Sequence, residues 1–337
     1  MKINKILILV SKEKHAYRIV TGFGSLGVRV DVINALSEYT GEEYDVAFLD
    51  HSSDDDARHI NCKEIIFYDC EDNPEHFKPG KLFFSLVDKS NFYAKLVYYE
   101  GDKIFNKLNP IAIPIQEYSL CHDISNKFGF NDFKPKVYFR GAPTYYAIAS
   151  KDYCPINTKL YRSFDDTTSL GFEPGLGVLY NQRVDWLSQI YNNNDIEQDV
   201  GIVFKEHIDC YSLKFQTKCF GNVSKFSKPA IPYINHLINL WQNKVCLCPL
   251  GHDRISFRVL DCVALGSIIA INDFANRKML YMPKHYTIIP DGANLLDHLD
   301  NIFSNYPSII KSSQENKEVF KNKIPENILK DFINQML

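Results

Sequence analysis

The sequence predicts an α/β protein built from two Rossmann-like domains, each a parallel sheet with helices on its faces. Three observations predict it. Strand-sized apolar runs alternate with helix-length amphipathic stretches through the first part of the chain, the order that yields parallel sheets. The pattern lapses and then restarts at Lys136–Phe139 (KVYF). Residues 245–272, VCLCPLGHDRISFRVLDCVALGSIIAIN, read as one complete strand–helix–strand unit. A length of 337 residues suits two domains of ordinary size.

In chain order, Lys5–Val10 is the first strand and His15–Leu26 a helix. Val28–Asn34, Tyr44–Asp50 (YDVAFLD) and Glu64–Asp69 (EIIFYD) are the next three strands. Residues 78–115 resist assignment, although their tail, NPIAIPI, has the look of a last strand before a linker. The first domain is placed at residues 1–130 and the second at 134–320. After KVYF, residues 144–180 are loop-rich, Val184–Tyr191 is helical and Val200–Lys205 is a strand. Tyr233–Gln242 is an amphipathic helix that feeds the 245–272 unit. Tyr286–Pro290 is a late strand and Asn294–Phe303 a helix. Residues 321–337 form a polar, helix-prone tail that could pack back on the first domain.

Composition narrows the function. A net charge of −3 and the lack of a dense basic run argue against nucleic acid as the main partner. No apolar run approaches the ~20 residues of a membrane-spanning helix. MKINKILILV runs into charged SKEKH without a cleavage-like site, so it reads as a first strand and not a signal peptide. Nine cysteines, an odd number and widely spread, fit reduced thiols in a cytoplasmic compartment. Recruitment to the periphery of a membrane stays open. Cys246 and Cys248 share one face of a strand and read as small core residues; no partner stretch completes a metal site.

Within 245–272, Val245–Leu250 is a buried strand, Gly251 a turn, Ile255–Leu265 a helix and Ser267–Asn272 a second strand. A helix N-terminus carries unpaired N–H groups and a partial positive charge, and a glycine there lets an anion approach the backbone. Ile255, Val259, Leu260, Val263 and Ala264 form the apolar face; Arg254, Arg258 and Asp261 lie opposite. On its own that polar face reads equally as an exposed Arg258–Asp261 ion pair at i,i+3.

The string Cys248–Pro249–Leu250–Gly251, then Ser256, Arg258, Asp261 and Gly266, resembles the donor-binding motif of exostosin-like glycosyltransferases. It is also similar to the wider GT-B pattern of two acids with seven residues between them, the second five before a glycine: Asp253, Asp261 and Gly266. The resemblance covers about thirty residues. It implies a GT-B architecture, with two Rossmann-like domains facing each other across a cleft, and a nucleotide sugar bound in the second. The second acid, Asp261, would hold the ribose hydroxyls, while Arg258 and the turn at Gly251, with Ser256, would hold the diphosphate. His252 and Asp253 flank that turn, and Asp253 has the alternative role of capping the helix. A basic residue at the end of the sheet-opening strand helps in such families, which points to Arg140-Gly141; the alternative is a surface arginine in a turn.

The reading that results is a glycosyltransferase moving a sugar from a nucleotide sugar to a glycan or lipid-linked saccharide, as in polysaccharide or lipopolysaccharide assembly. The resemblance implies inversion and no metal or cofactor, the leaving charge being met by helix N–H groups and Arg or Lys. The base that deprotonates the acceptor is expected at a strand end of the first domain. Asp69, Glu71 and Asp72 form the first candidate cluster and Asp50-His51 the second, although acids gather at strand ends as turn residues anyway. The competing assignments are a sugar-nucleotide epimerase of the same fold and a non-catalytic glycan-binding subunit. Two decoys are set aside. Gly22–Gly27 spells GxGxxG but closes a helix and precedes a strand, the reverse of a dinucleotide site. The acidic run Asp54–Asp56 lacks the glycine and glutamate of a calcium loop.

Overall fold

The computed structural model describes residues 3–9, 27–50, 59–69, 92–95, 97–99, 108–109, 117–127, 135–141, 162–163, 178–179, 182–203, 223–249, 256–272, 277–279, 282–290 and 293–319. The chain forms two compact units. One comprises Met1–Leu120, Ala275–Met282 and Val319–Leu337; the other comprises Cys121–Phe274 and Pro283–Glu318.

The first unit holds strands β1 (Lys5–Leu9), β2 (Arg29–Ile33), β3 (Tyr44–Asp50), β4 (Cys62–Asp69), β5 (Phe92–Lys95), β6 (Val97–Tyr99) and β7 (Leu108–Asn109). Six of them make one parallel sheet in the order β2-β1-β3-β4-β5-β7. Ile6 to Leu9 and Val46 to Leu49 are buried without interruption, as strands covered on both faces must be. Gly27 supplies a positive φ of 73° two residues before β2, a conformation that favours glycine; residues 22–26 of the same string lie outside the described residues. Asp45 ties the start of β1 to β3: its Oδ2 accepts from the backbone N–H of Asn4 and Lys5 at 2.9 and 3.1 Å, and its Oδ1 from Lys63 Nζ at 2.7 Å. The Lys63 ammonium and the Asn4 amide together hold this carboxyl below its usual range.

Helix α1 (Glu117–Lys127) lies where the sequence suggested a linker. Among its described side chains the buried ones are Cys121, Ile124 and Ser125, a stripe too short to show as a period.

The second unit opens with β8 (Lys136–Gly141), followed by the short antiparallel ribbon β9 (Arg162–Ser163) and β10 (Val178–Leu179). Then come α2 (Gln182–Tyr191), β11 (Gln198–Ile202), α3 (Tyr233–Asn243), β12 (Lys244–Cys248), α4 (Phe257–Leu265) and β13 (Ile268–Ile271). β14 (Arg277–Met279) belongs to the first unit, where it pairs antiparallel with β6, Lys278 opposite Tyr98. β15 (Thr287–Ile288), α5 (Leu295–Ser304) and α6 (Tyr306–Gln314) complete the second unit. The expected elements that fall on described residues sit within a few residues of where the periodicity put them; the helix expected at His15–Leu26 and the tail at 321–337 lie outside the described residues. β8 runs two residues further, through Arg140 and Gly141, and α4 starts at Phe257 with Ser256 at its N-cap.

The second sheet is parallel throughout, in the order β11-β8-β12-β13-β15. Side-chain alternation sorts its two faces. Val137, Phe139, Val245, Leu247, Ile268 and Ala270 pack with Trp186 and Leu187 of α2 and Leu295 and Leu299 of α5. On the other face, Tyr138 and Cys246 lie under α3: Tyr138 Oη is 2.9 Å from His236 Nδ1, and Cys246 Sγ donates to the Leu240 carbonyl. Cys246, Cys248 and Cys262 are buried, with the Cys248 and Cys262 sulfurs 4.0 Å apart, so these cysteines serve as core. Burial drives the Cys262 thiol well above its ordinary pKa, which keeps it inert.

Two junctions shape the site. α3 passes into β12 without a loop, at the cost of a positive φ of 68° at Lys244. α4 stops at Gly266, whose φ of 69° lets the Gly266 and Ser267 N–H groups bond back to Val263 and Cys262. A Cβ on Gly266 would meet the Gln314 and Lys317 side chains at 2.9 Å. Gly266, expected as part of the donor motif, therefore has a structural duty as helix stop.

Candidate anion site at the switch point of the second sheet

The chain enters the second sheet at β8, moves to β11 on one side, then crosses to β12 on the other. The direction of winding reverses between β8 and β12. At such a switch point the loops leaving the two strands part in opposite directions and open a crevice at the carboxyl ends of the strands, where open α/β sheets bind ligands. Arg140 and Gly141 end β8, and α4 is the helix that follows β12, so the second unit's candidates lie around this point.

Arg258, in the first turn of α4, reaches across to β8. Its Nη2 donates to the Arg140 carbonyl at 2.9 Å, and its guanidinium carbon sits 4.5 Å from the centroid of the Phe139 ring. Gly141 makes the approach feasible, since a Cβ there would lie 2.7 Å from Nη2. Nε and Nη1 of Arg258 are buried and have no hydrogen-bond partner among the described residues. The same is true of Ser256 Oγ at the N-cap, which makes no capping bond, and of Arg140 Nε. Buried polar atoms left unpaired each cost about 1–3 kcal/mol and call for an explanation such as an ion.

Arg140 is spent differently. Its Nη2 pairs with Asp199 Oδ1 at 3.0 Å, and its Nη1 donates to the Pro229 carbonyl at 3.1 Å. Asp199 stands on the neighbouring strand β11. Arg140 thus braces the sheet edge, and its carbonyl positions Arg258. A third guanidinium, Arg183 of α2, lies 5.8 Å from the same Phe139 ring. Three guanidinium groups thus gather around one strand end, with Asp199 as the acid paired to Arg140.

Asp261, one turn along α4, is only 7% exposed. Its Oδ1 accepts from the Tyr233 hydroxyl at 2.7 Å. The solvent-facing Arg258–Asp261 ion pair is thus not what forms: both side chains turn inward, to β8 and α3. His236, three residues after Tyr233, lies with its ring centroid 6.2 Å from that of Tyr233. Burial, and then the charges of Arg258 and Arg140, hold its pKa down to about 3, so the imidazole is neutral at ordinary pH.

Reasoning from sequence missed Tyr233, His236, Asp199 and Arg183. Tyr233 and His236 had a faint signal, being polar-capable rings at i,i+3 on a helix whose buried stripe is Leu237, Leu240 and Trp241. Asp199 had none, because it counts only through its register beside β8. Gly251, His252 and Asp253 lie outside the described residues, as do Glu71, Asp72, His51 and Asp54–Asp56. Asp69 ends β4 and Asp50 ends β3, at the strand ends where a base was expected. Among the described residues, no group of three His, Cys, Asp or Glu side chains could hold a metal ion. Among them also, no helix is long and apolar enough to cross a membrane.

No protein-family model matches this chain, and no curated protein matches it in sequence. Its fold is similar to that of Anabaena Alr3699/HepE. The HepE complex with UDP-glucose matches with a TM-score of 0.56 at 11% identity, over 99% of this chain and 100% of that one. The complex with UDP gives 0.54 at 10% identity, and that with UDP and glucose gives 0.56 at 11%, each over 99% of both chains. At such identity the likeness is one of fold: mixed α/β, with parallel sheets. HepE binds UDP and UDP-glucose on that fold.

Proposed function

We propose that the chain is a glycosyltransferase of GT-B architecture that uses a nucleotide sugar as donor. The observation that carries this reading is the set of buried, unpartnered donors on Arg258 and Ser256 at the switch point of the second sheet. A diphosphate supplies the acceptor oxygens those groups lack, and a guanidinium suits its geometry. The fold likeness to a protein solved with UDP-glucose supports the choice of a nucleoside diphosphate over a simpler anion.

In this reading Arg258, Ser256 and the turn at Gly251 and His252 take the diphosphate, Asp253 flanks that turn as the first acid of the pair, Asp261 takes the ribose, and Arg140 with Gly141 sets Arg258. Arg258 and the N–H groups of α4 meet the charge on the departing diphosphate, the work a divalent cation does elsewhere. The base comes from Asp69, Glu71 or Asp72 of the first unit, across the cleft that the GT-B reading puts between the units. Transfer is inverting and metal-independent, onto a glycan or lipid-linked saccharide. The setting is polysaccharide or lipopolysaccharide assembly in the cytoplasm or at the membrane periphery.

The test is a thermal-shift panel of nucleoside diphosphates. At a hundred times its dissociation constant, a true ligand adds about 2.7 kcal/mol to stability. No shift with any of them would end the donor assignment. With the matching nucleotide sugar, slow release of nucleoside diphosphate marks a transferase; an isomerised sugar would mark the epimerase instead.

A further inference from the structure

A cavity of about 460 Å³ opens between α6 and β15, the outermost strand of the second sheet. Its volume falls within the ~300–1,000 Å³ typical of small-molecule sites. None of the donor-site candidates lines it.

The walls are of two kinds. Ile288 and Ile309 are apolar, and Tyr286, 38% exposed, adds an aromatic surface. Hydroxyls supply the rest: Ser308, Ser312 and Ser313 fall on one face of α6, and Thr287 belongs to β15. Ser313 is only 1% exposed, yet its hydroxyl has no hydrogen-bond partner among the described residues. The other three hydroxyls have none there either. Polar groups kept from water without a partner call for something to fill the space beside them.

The mouth is held in place and carries positive charge. Asn316, wholly buried, accepts at Oδ1 from the N–H groups of Lys284 and His285 at 2.8 and 2.9 Å. Its Nδ2 donates to the His285 carbonyl at 2.8 Å. The His285 Nε2 lies 3.0 Å from Glu315 Oε2, so that carboxylate is already engaged. The Lys284 ammonium has no ion-pair partner among the described residues, and no described carboxylate lines the cavity.

A matching ligand has hydroxyls to answer the serines, a C–H face to lie on tyrosine and isoleucine, and an anion for Lys284. A lipid chain lacks the hydroxyls and the charge. An acidic sugar has all of these features. We propose that this cavity is a second carbohydrate site, one that holds a saccharide unit bearing a carboxylate or phosphate, apart from the donor site.

The experiment titrates the full chain with glucuronic acid, glucose 6-phosphate, glucose and inorganic phosphate, followed by saturation-transfer NMR. It compares the parent with Lys284→Gln, which keeps the backbone bonds to Asn316, and with Ser312→Leu, which fills the cavity. At least one acidic sugar should bind about tenfold or more tightly than glucose or phosphate, the scale of one charge-assisted hydrogen bond. Which acidic sugar wins tells carboxylate from phosphate. Lys284→Gln should bring it down to the level of glucose, and Ser312→Leu should abolish sugar binding. Any thermal shift from nucleoside diphosphates should be the same in parent and variants, so the donor reading stands or falls separately. Failure of every sugar to bind, phosphate binding as tightly as the sugars, or equal affinity for glucose and both acidic sugars would overturn the proposal. So would an acidic sugar that binds either variant as it binds the parent.

Discussion

Arg258 donates to the main-chain carbonyl of Arg140 at 2.9 Å, across 118 positions of sequence. The bond pins the first turn of α4 to the end of β8, and the ring of Phe139 supports the guanidinium from the side. What remains of the side chain's donors is buried and unmatched. Such an arrangement makes sense as a site that waits for an anion, because stability is given up in the empty state and recovered on binding.

Arg258→Met should therefore separate stability from binding. Replacing the guanidinium by an apolar side chain of similar reach removes unpaired buried donors, so the melting temperature of the ligand-free protein should be unchanged or higher. Binding of a nucleoside diphosphate should weaken by about 1.5–3 kcal/mol, the range for a hydrogen bond to a charged group. Paired thermal melts with and without ligand read both effects. A large loss of stability in the empty protein would show Arg258 to be a structural strut.

Gly141→Ala tests the same site without touching charge. The new methyl would fall 2.7 Å from Arg258 Nη2 and 3.0 Å from Phe139 Cζ. The flexible arginine is the group able to yield, so the fold should persist. Diphosphate affinity should drop about tenfold, on the order of 1.4 kcal/mol. Isothermal titration of the variant against the parent checks it.

The pH dependence of stability carries two signatures. His236 has its pKa lowered from 6.5 to about 3 by burial. Below 6.5 the unfolded chain takes up a proton that the folded chain refuses, so this contribution is full above 6.5 and is lost as pH falls toward 3. Lys244 has its pKa lowered from 10.5 to about 8 by burial, with Lys317 adding to the effect. Its ammonium lies over the Trp241 ring at 3.4 Å. By the same sign rule its contribution is full above 10.5 and is lost as pH falls through 8, so stability gains from this group as pH rises between the two. Urea midpoints of His236→Gln should lose less than the parent between pH 7 and pH 4.5. Those of Lys244→Met should gain less between pH 8 and pH 10.

In the first unit, Asp45→Ala should cost about 1–3 kcal/mol, because two backbone N–H groups of the β1 end lose their acceptor. Asp45→Asn keeps an acceptor but loses the Lys63 ammonium's partner, and should cost less. Urea unfolding of the two variants ranks them; equal costs would show that the ion pair, and not the amide bonds, is what matters.

Much of the architecture is legible in local pattern. The runs around β1, β3, β12 and β13 are apolar on both faces, which only a strand covered by helices on both sides tolerates. α3 shows its stripe at Leu237, Leu240 and Trp241. α1 was overlooked because its buried positions among the described side chains, Cys121, Ile124 and Ser125, leave no period to find. At the site, Arg258, Asp261, Ser256 and Gly141 could be named from sequence, but their arrangement could not. The helical wheel put Arg258 and Asp261 out in solvent, since a wheel knows only one helix and not the neighbours packed over its polar side.

The sequence by itself determined the main strands of the two sheets, the helices that feed the second, and that a glycine, an arginine and an acid lie between and just beyond a strand and a helix in the second half. Those are properties of apolar spacing and backbone preference, carried within a few turns of chain. Only the tertiary structure decided that β8 stands between β11 and β12, and so that Arg258 lies at Gly141 and Tyr233 on Asp261. Strand order follows from pairings between distant segments, each settled by how the two faces of a sheet are buried, and no local stretch of residues records that competition.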